Sequence, residues 1–145
     1  MRAKLSVSCE THTFHSDDEA AKAFLHELGR GREFRGVIDD KNMLGIMGLE
    51  DRGLPKHGVA ELVRFSMPEK TFSRIVAELL FDATLASMDY FFRERPQRLR
   101  KVFTVIANNR NYAKEFFEDR GLVREGMLKR HYHDYRNESV YSFFR

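Results

Sequence analysis

The longest periodic run in the chain starts at Phe72. Phe72, Ile75, Val76, Leu79, Leu80 and Ala83 recur at the spacing of one helical face, and the pattern continues to about Arg95, where Pro96 closes it. Its flanks have another period. VAELVRFSM, residues 59–67, reads as a strand, and KVFTVIA, residues 101–107, is a β-branched and apolar run suited to a buried strand. A long helix bracketed by strands commits the chain to a mixed architecture in which helices cover a sheet.

The remaining segments fit that frame. RAKLSVSCE alternates like a strand, and SDDEAAKAFLHEL reads as a helix opened by Ser16, with acidic residues in its first turn and Ala21, Phe24, Leu25 and Leu28 on one side. GREFRGVIDD and NMLGIMGLEDR are two strands joined through the turn signal Asp40-Lys41-Asn42, a hairpin. Residues 43–49 are apolar on both faces, which places that strand inside a sheet. NRNYAKEFFEDRG is a short helix with Tyr112, Ala113, Phe116 and Phe117 on one side and Gly121 where a left-handed cap is wanted. LVREGMLKRHY and SVYSFFR close the chain as strands linked by HDYRNE. The expected order is strand, helix, three strands, helix, strand, helix, two strands.

Composition limits the function classes. A chain of 145 residues with 42% hydrophobic residues and thirteen Phe fills one core, and no repeat or linker divides it, so residues 1–145 are expected to form a single domain. The net charge is +3 with 32% charged residues, so any pull toward nucleic acid or anionic lipid would have to come from a local patch. The one basic run, RERPQRLRK at 93–101, has no interleaved aromatics and begins at a helix end, where cations complement the dipole. It could also hold a ribose phosphate or an acidic partner. The single cysteine, Cys9, excludes an internal disulfide framework and reads as a small buried hydrophobe. With no apolar leader and no bilayer-length apolar run, the expectation is a soluble, cytoplasmic protein.

NMLGIMGLEDR, GVAELVRFSMPEK, VIANNRNYAKEFFEDRGLVREG and the terminal SVYSFF together resemble the GNAT superfamily of N-acetyltransferases across nearly the whole chain. The Asn-rich entry to the short helix, the Arg-Gly-Leu exit and the following Glu-Gly are similar to the branch that acetylates protein N-termini and small amines. The resemblance implies a mixed, splayed central sheet flanked by helices, an acyl donor such as acetyl-CoA in the gap, an amine acceptor and no metal. It also implies donor contacts from Phe65, Ser66 and Met67 at the end of one strand and from the turn that follows.

That turn departs from the family. It usually reads Arg or Gln, two variable residues, Gly, one variable residue, then Gly or Ala. Here it reads Thr71, Phe72, Ser73, Arg74, Ile75 and Val76, with no glycine. Glycine is used there because a Cβ crowds the phosphates or requires a costly backbone angle. Three readings remain open. The N–H groups of residues 72–76 could still face a pyrophosphate, with Ser73 and Arg74 adding side-chain contacts. ELVRF, residues 61–65, is similar to a pattern of acyl-homoserine-lactone synthases, GNAT-fold relatives that take acyl chains from a carrier protein, and partly to phage-type nucleic-acid-modifying relatives. The third reading is a retained fold that binds a partner without catalysis.

Acyl transfer to an amine needs a base, a donor to the oxyanion and a proton for the leaving thiolate. Glu61 is the candidate base; its alternative is a structural partner of Arg64, although strict alternation sends the two to opposite faces unless the strand bulges. The position where relatives place a proton-donating Tyr is Phe117 here. Among Asn108, Asn109 and Asn111, one is expected to cap the short helix, and relatives use an Asn there to bond the pantetheine arm. His131 and His133 share one side of a strand, which allows a second general base or, with further ligands, a metal site, and with Arg64 they are the candidates for the substrate cleft. The apolar SVYSFF could pair across a dimer.

Overall fold

The computed structural model describes residues 5–7, 22, 33–39, 42–51, 57–68, 73–93 and 98–145. The elements are β1 (Leu5–Val7), β2 (Glu33–Asp39), β3 (Asn42–Asp51), β4 (Val59–Pro68), α1 (Arg74–Arg93), β5 (Lys101–Ala107), α2 (Asn111–Asp119), β6 (Val123–His133) and β7 (Arg136–Phe144). The expected helix near Ser16 lies outside the described residues except Lys22, which is helical. Cys9 lies outside them as well.

One mixed sheet runs in the order β2-β3-β4-β5-β7-β6, with β1 also paired to β4. All pairings are antiparallel except β4 with β5. β2 and β3 form the expected hairpin, closing on the pair Asp39↔Asn42 around Asp40-Lys41. β6 and β7 close as tightly, on His133↔Arg136 around Asp134-Tyr135, so the strands continue into the segment first read as a longer loop. β7 lies between β5 and β6, and both of its edges are in use at 138–142. Pairing through this strand across a dimer is therefore closed off, because its backbone groups there are already spent on neighbours.

α1 buries a stripe that shares Val76 and Leu80 with the expected one and is shifted away from Ile75 and Leu79. Val76, Ala77, Leu80, Phe81, Thr84 and Met88 face inward, while Ile75 and Leu79 are 72% and 54% exposed. Apolar residues occupy two adjacent stripes of this helix, and the one that includes the large Phe81 and Met88 meets the sheet. There Phe81, Phe65 of β4, and Phe116 and Phe117 of α2 form a cluster with ring centroids 5.2–6.1 Å apart. Both helices therefore pack on the same face, against Leu49, Leu62, Val102 and Ile106.

Two glycines carry required left-handed geometry. Gly121, with φ +87°, ends α2 as expected, and the N–H of Leu122 bonds the Phe117 carbonyl at 2.9 Å. Gly58, with φ +61°, sits before β4 and accepts from the N–H groups of Arg100 and Lys101, tying the start of β4 to the start of β5. A Cβ at Gly58 would overlap the Arg98 carbonyl, whereas one at Gly121 would meet open space. Gly58→Ala is therefore expected to destabilise the protein by about 3 kcal/mol and Gly121→Ala by about 1 kcal/mol, measured by urea denaturation. Equal losses would show that close packing at Gly58 contributes nothing.

Candidate active site at the fork between β4 and β5

β4 and β5 part early. Their ladder consists of Val59↔Lys101, Ala60↔Val102 and Glu61↔Phe103. The Thr104 hydroxyl then donates to the Leu62 carbonyl at 3.1 Å, one step beyond the ladder. Beyond it, β4 gains a residue: Gly48 pairs with Val63 and Ile46 with Ser66, so two steps of β3 oppose three of β4. This is the bulge that alternation required if Glu61 and Arg64 were to share a side, and Arg64 lies within it. Past the bulge, Ser66, Met67 and Pro68 pair with β1.

Glu61 is half-buried at the base of the fork, directly across from Glu50 on β3 and Phe103 on β5. Its register neighbours Ala60 and Leu62 are buried under the helices, so Glu61 points to the opposite face. On the same face, Lys101 donates to Glu125 at 2.6 Å and the Ser142 hydroxyl donates to the same carboxylate. The Lys101 hydrogen bond, then that of Ser142, holds the Glu125 carboxyl below the usual glutamate range.

The expected donor-binding residues fall into distinct environments. Thr71 and Phe72 lie outside the described residues. Ser73 precedes α1 and acts as its cap, its Oγ accepting from the Val76 N–H at 3.4 Å. Arg74 opens the helix 52% exposed and reaches two carboxylates, Glu78 at 3.2 Å and Asp119 of α2 at 2.8 Å. Asp119 first, then Glu78, raises the Arg74 pKa further. Ile75 is exposed and Val76 buried. Phe65 and Met67 have their side chains in the core, so only their backbone is available to a ligand.

At the β5–α2 turn, Asn108 is the engaged asparagine. Its Oδ1 accepts from Ser139 at 2.6 Å, its N–H donates to the Asn137 carbonyl, and its own carbonyl accepts from Lys114 Nζ at 2.8 Å. Asn109 and Asn111 are exposed. None of the three caps α2: the N-cap position is Arg110, and no side-chain cap bond is made there. Among the described residues, the Arg110 Nε is buried without an acceptor, and Glu138 Oε2 on the neighbouring strand end is buried without a donor. Phe117 is fully buried within the aromatic cluster. His131 is exposed on β6, and His133 pairs with Arg136 at the hairpin end. Among the described residues, no group of three or more His, Cys, Asp or Glu could hold a metal, and no helix is long and apolar enough to cross a membrane.

Sequence reasoning missed Glu50, Asp119 and Glu138. The register that brings Glu50 opposite Glu61 and the helix contact that brings Asp119 to Arg74 are tertiary. Glu138 lies in the polar run HDYRNE, and nothing local marks it as buried.

No protein-family model and no curated protein matches the sequence. The fold does match solved structures. An acetyltransferase of the GNAT family from Desulfovibrio desulfuricans superposes with a TM-score of 0.63 at 19% identity, over 90% of this chain and 83% of that one. This chain has the GNAT acetyltransferase fold. Spermidine N-acetyltransferase from Vibrio cholerae, solved with CoA and spermine, gives a TM-score of 0.68 at 19% identity over 95% of this chain and 81% of that chain. Ribosomal-protein-alanine N-acetyltransferase from Brucella melitensis gives 0.68 at 12% identity over 91% and 81%. The fork described above is thus part of a GNAT sheet.

Two outcomes test this geometry. Phe117→Tyr would bury a hydroxyl among rings and is expected to cost about 1–3 kcal/mol, read from the urea midpoint. An unchanged midpoint would mean that the side chain reaches a polar space. Because the Glu125 carboxyl is held low, its contribution to stability is present at neutral pH and lost as pH falls through its folded-state value. The stability gap between wild type and Glu125→Gln should therefore shrink from pH 7 to pH 3; a constant gap would remove the ionised carboxylate from the account.

Proposed function

We propose that the protein is an N-acyltransferase that moves an acetyl or other short acyl group from an acyl-CoA to a primary amine. The observation that carries this reading is the fork. β4 and β5 diverge immediately above Glu61, and each leads at its far end toward a helix, so a thioester in the gap would lie between two strand edges and near a carboxylate. The superposition on structures named for spermidine and for ribosomal-protein alanine supports an amine acceptor on a small molecule or a protein.

The chain's own groups fit an acyl-CoA in part. A helix start leaves its first N–H groups without intrahelical acceptors. In α1, Ser73 takes that of Val76, leaving those of Arg74 and Ile75 for a pyrophosphate. Arg74 can contribute only by leaving Asp119 and Glu78. The donor supplies the activated acyl group; Glu61 accepts the proton of the incoming ammonium, directly or through a water. Phe117 cannot return a proton to the thiolate, so solvent does. A second reading, a GNAT-fold binding module without catalysis, is favoured by the engagement of Arg74.

Isothermal titration with acetyl-CoA separates the two. Binding in the micromolar range that weakens at least tenfold in Ser73→Ala, Arg74→Ala is expected for the enzyme. With spermidine or an alanine-terminated peptide as acceptor, Glu61→Gln should lower kcat by about 10²-fold or more at unchanged donor affinity. No binding at millimolar donor would leave the binding-module reading.

A further inference from the structure

We propose that β1 and the acyl donor compete for one edge of β4, so that this chain carries its own occupant of the donor groove. The inference rests on the acyl-CoA reading given above. Ser66 is paired twice, with Ile46 of β3 and with Val7 of β1. A residue in a sheet pairs once on each edge. β1 therefore runs along the edge of β4 that faces away from β3, the same edge that β5 uses at Val59–Glu61. Between the two pairings lie the Thr104–Leu62 bond and the bulge, so β1 enters the fork at its open end.

The pantetheine arm of an acyl-CoA is an extended chain with two amides. Its natural partners are strand N–H and C=O groups, and the edge of β4 at residues 65–67 offers a row of them at the open end of the fork. β1 already pairs with that stretch, through Ser6↔Met67 and Val7↔Ser66. Both occupants cannot hold the same backbone groups. The β1 ladder is also built to be left. It has three pairs, and one of them ends on Pro68, which has no N–H to offer. The permanent ladders of β2 with β3 and of β5 with β7 have seven each. A short strand on a free edge is the mode by which sheets take up extended peptides reversibly. Donor affinity is then reduced by the fraction of molecules in which β1 is in place.

The test uses the full chain and acetyl-CoA. Successive strand residues alternate in which one donates toward the neighbour, so Ser6→Pro, Val7→Pro removes the β1 donor in either alternation. We expect titration to show acetyl-CoA binding about tenfold or more tightly to the double variant than to wild type. In wild type, amide exchange should show Leu5–Val7 losing protection as donor is added while Ser66 and Met67 keep theirs. This second readout needs no variant. Equal affinities with Leu5–Val7 still protected in the donor complex would overturn the competition and leave the acyl-CoA reading standing. Failure of both proteins to bind millimolar acetyl-CoA would overturn the acyl-CoA reading and the competition with it.

Discussion

The four-ring cluster of Phe65, Phe81, Phe116 and Phe117 is the contact on which the rest of the molecule depends. It joins β4, the helix that follows β4 and the helix that follows β5, so both exits of the fork are pinned by one piece of core. Large aromatic side chains bury the most apolar surface per residue and hold defined edge and offset geometries. Phe65 reaches the cluster from just beyond Val63, where β4 carries its extra residue. The bulge, the position of α1's first turn and the opening between β4 and β5 are therefore consequences of the same packing.

This architecture has an electrostatic cost at the proposed donor site. The start of a helix favours an anion, and Arg74 adds a cation there. Yet Asp119 at the end of α2 and Glu78 one turn into α1 already neutralise that cation. Where the family resemblance implies small residues, the chain has the bulk of Val76 and a salt-bridged Arg74. Together with the pairing of β1 on the edge beyond the bulge, this puts the chain's own groups at both ends of the proposed donor groove.

Much of the architecture was legible because local patterns sufficed. β5 runs over the residues read as a strand, Lys101–Ala107, since a short apolar run bounded by polar turns has one solution. The β2–β3 hairpin followed from its turn residues, and the end of α2 from Gly121, whose backbone angle few other residues adopt. The site was less legible. The buried stripe of α1 was legible only at Val76 and Leu80, because two adjacent stripes are apolar and periodicity does not say which one meets a sheet. Asn108 was a sound polar candidate, but it is consumed by Ser139, Asn137 and Lys114, which lie far or turned away in sequence.

The sequence by itself determined the order of the described strands and helices from β2 onward and the hairpin between β2 and β3, because hydrophobic period and turn chemistry are local and need no knowledge of neighbours. Tertiary structure decided the rest: that β7 is an interior strand, that Glu61 faces Glu50, that Arg74 is held by Asp119 and that β1 lies along the open edge of β4. Each of these is a pairing between residues remote in sequence. Register and helix docking set such pairings through the packing of the whole core, and no local pattern encodes them.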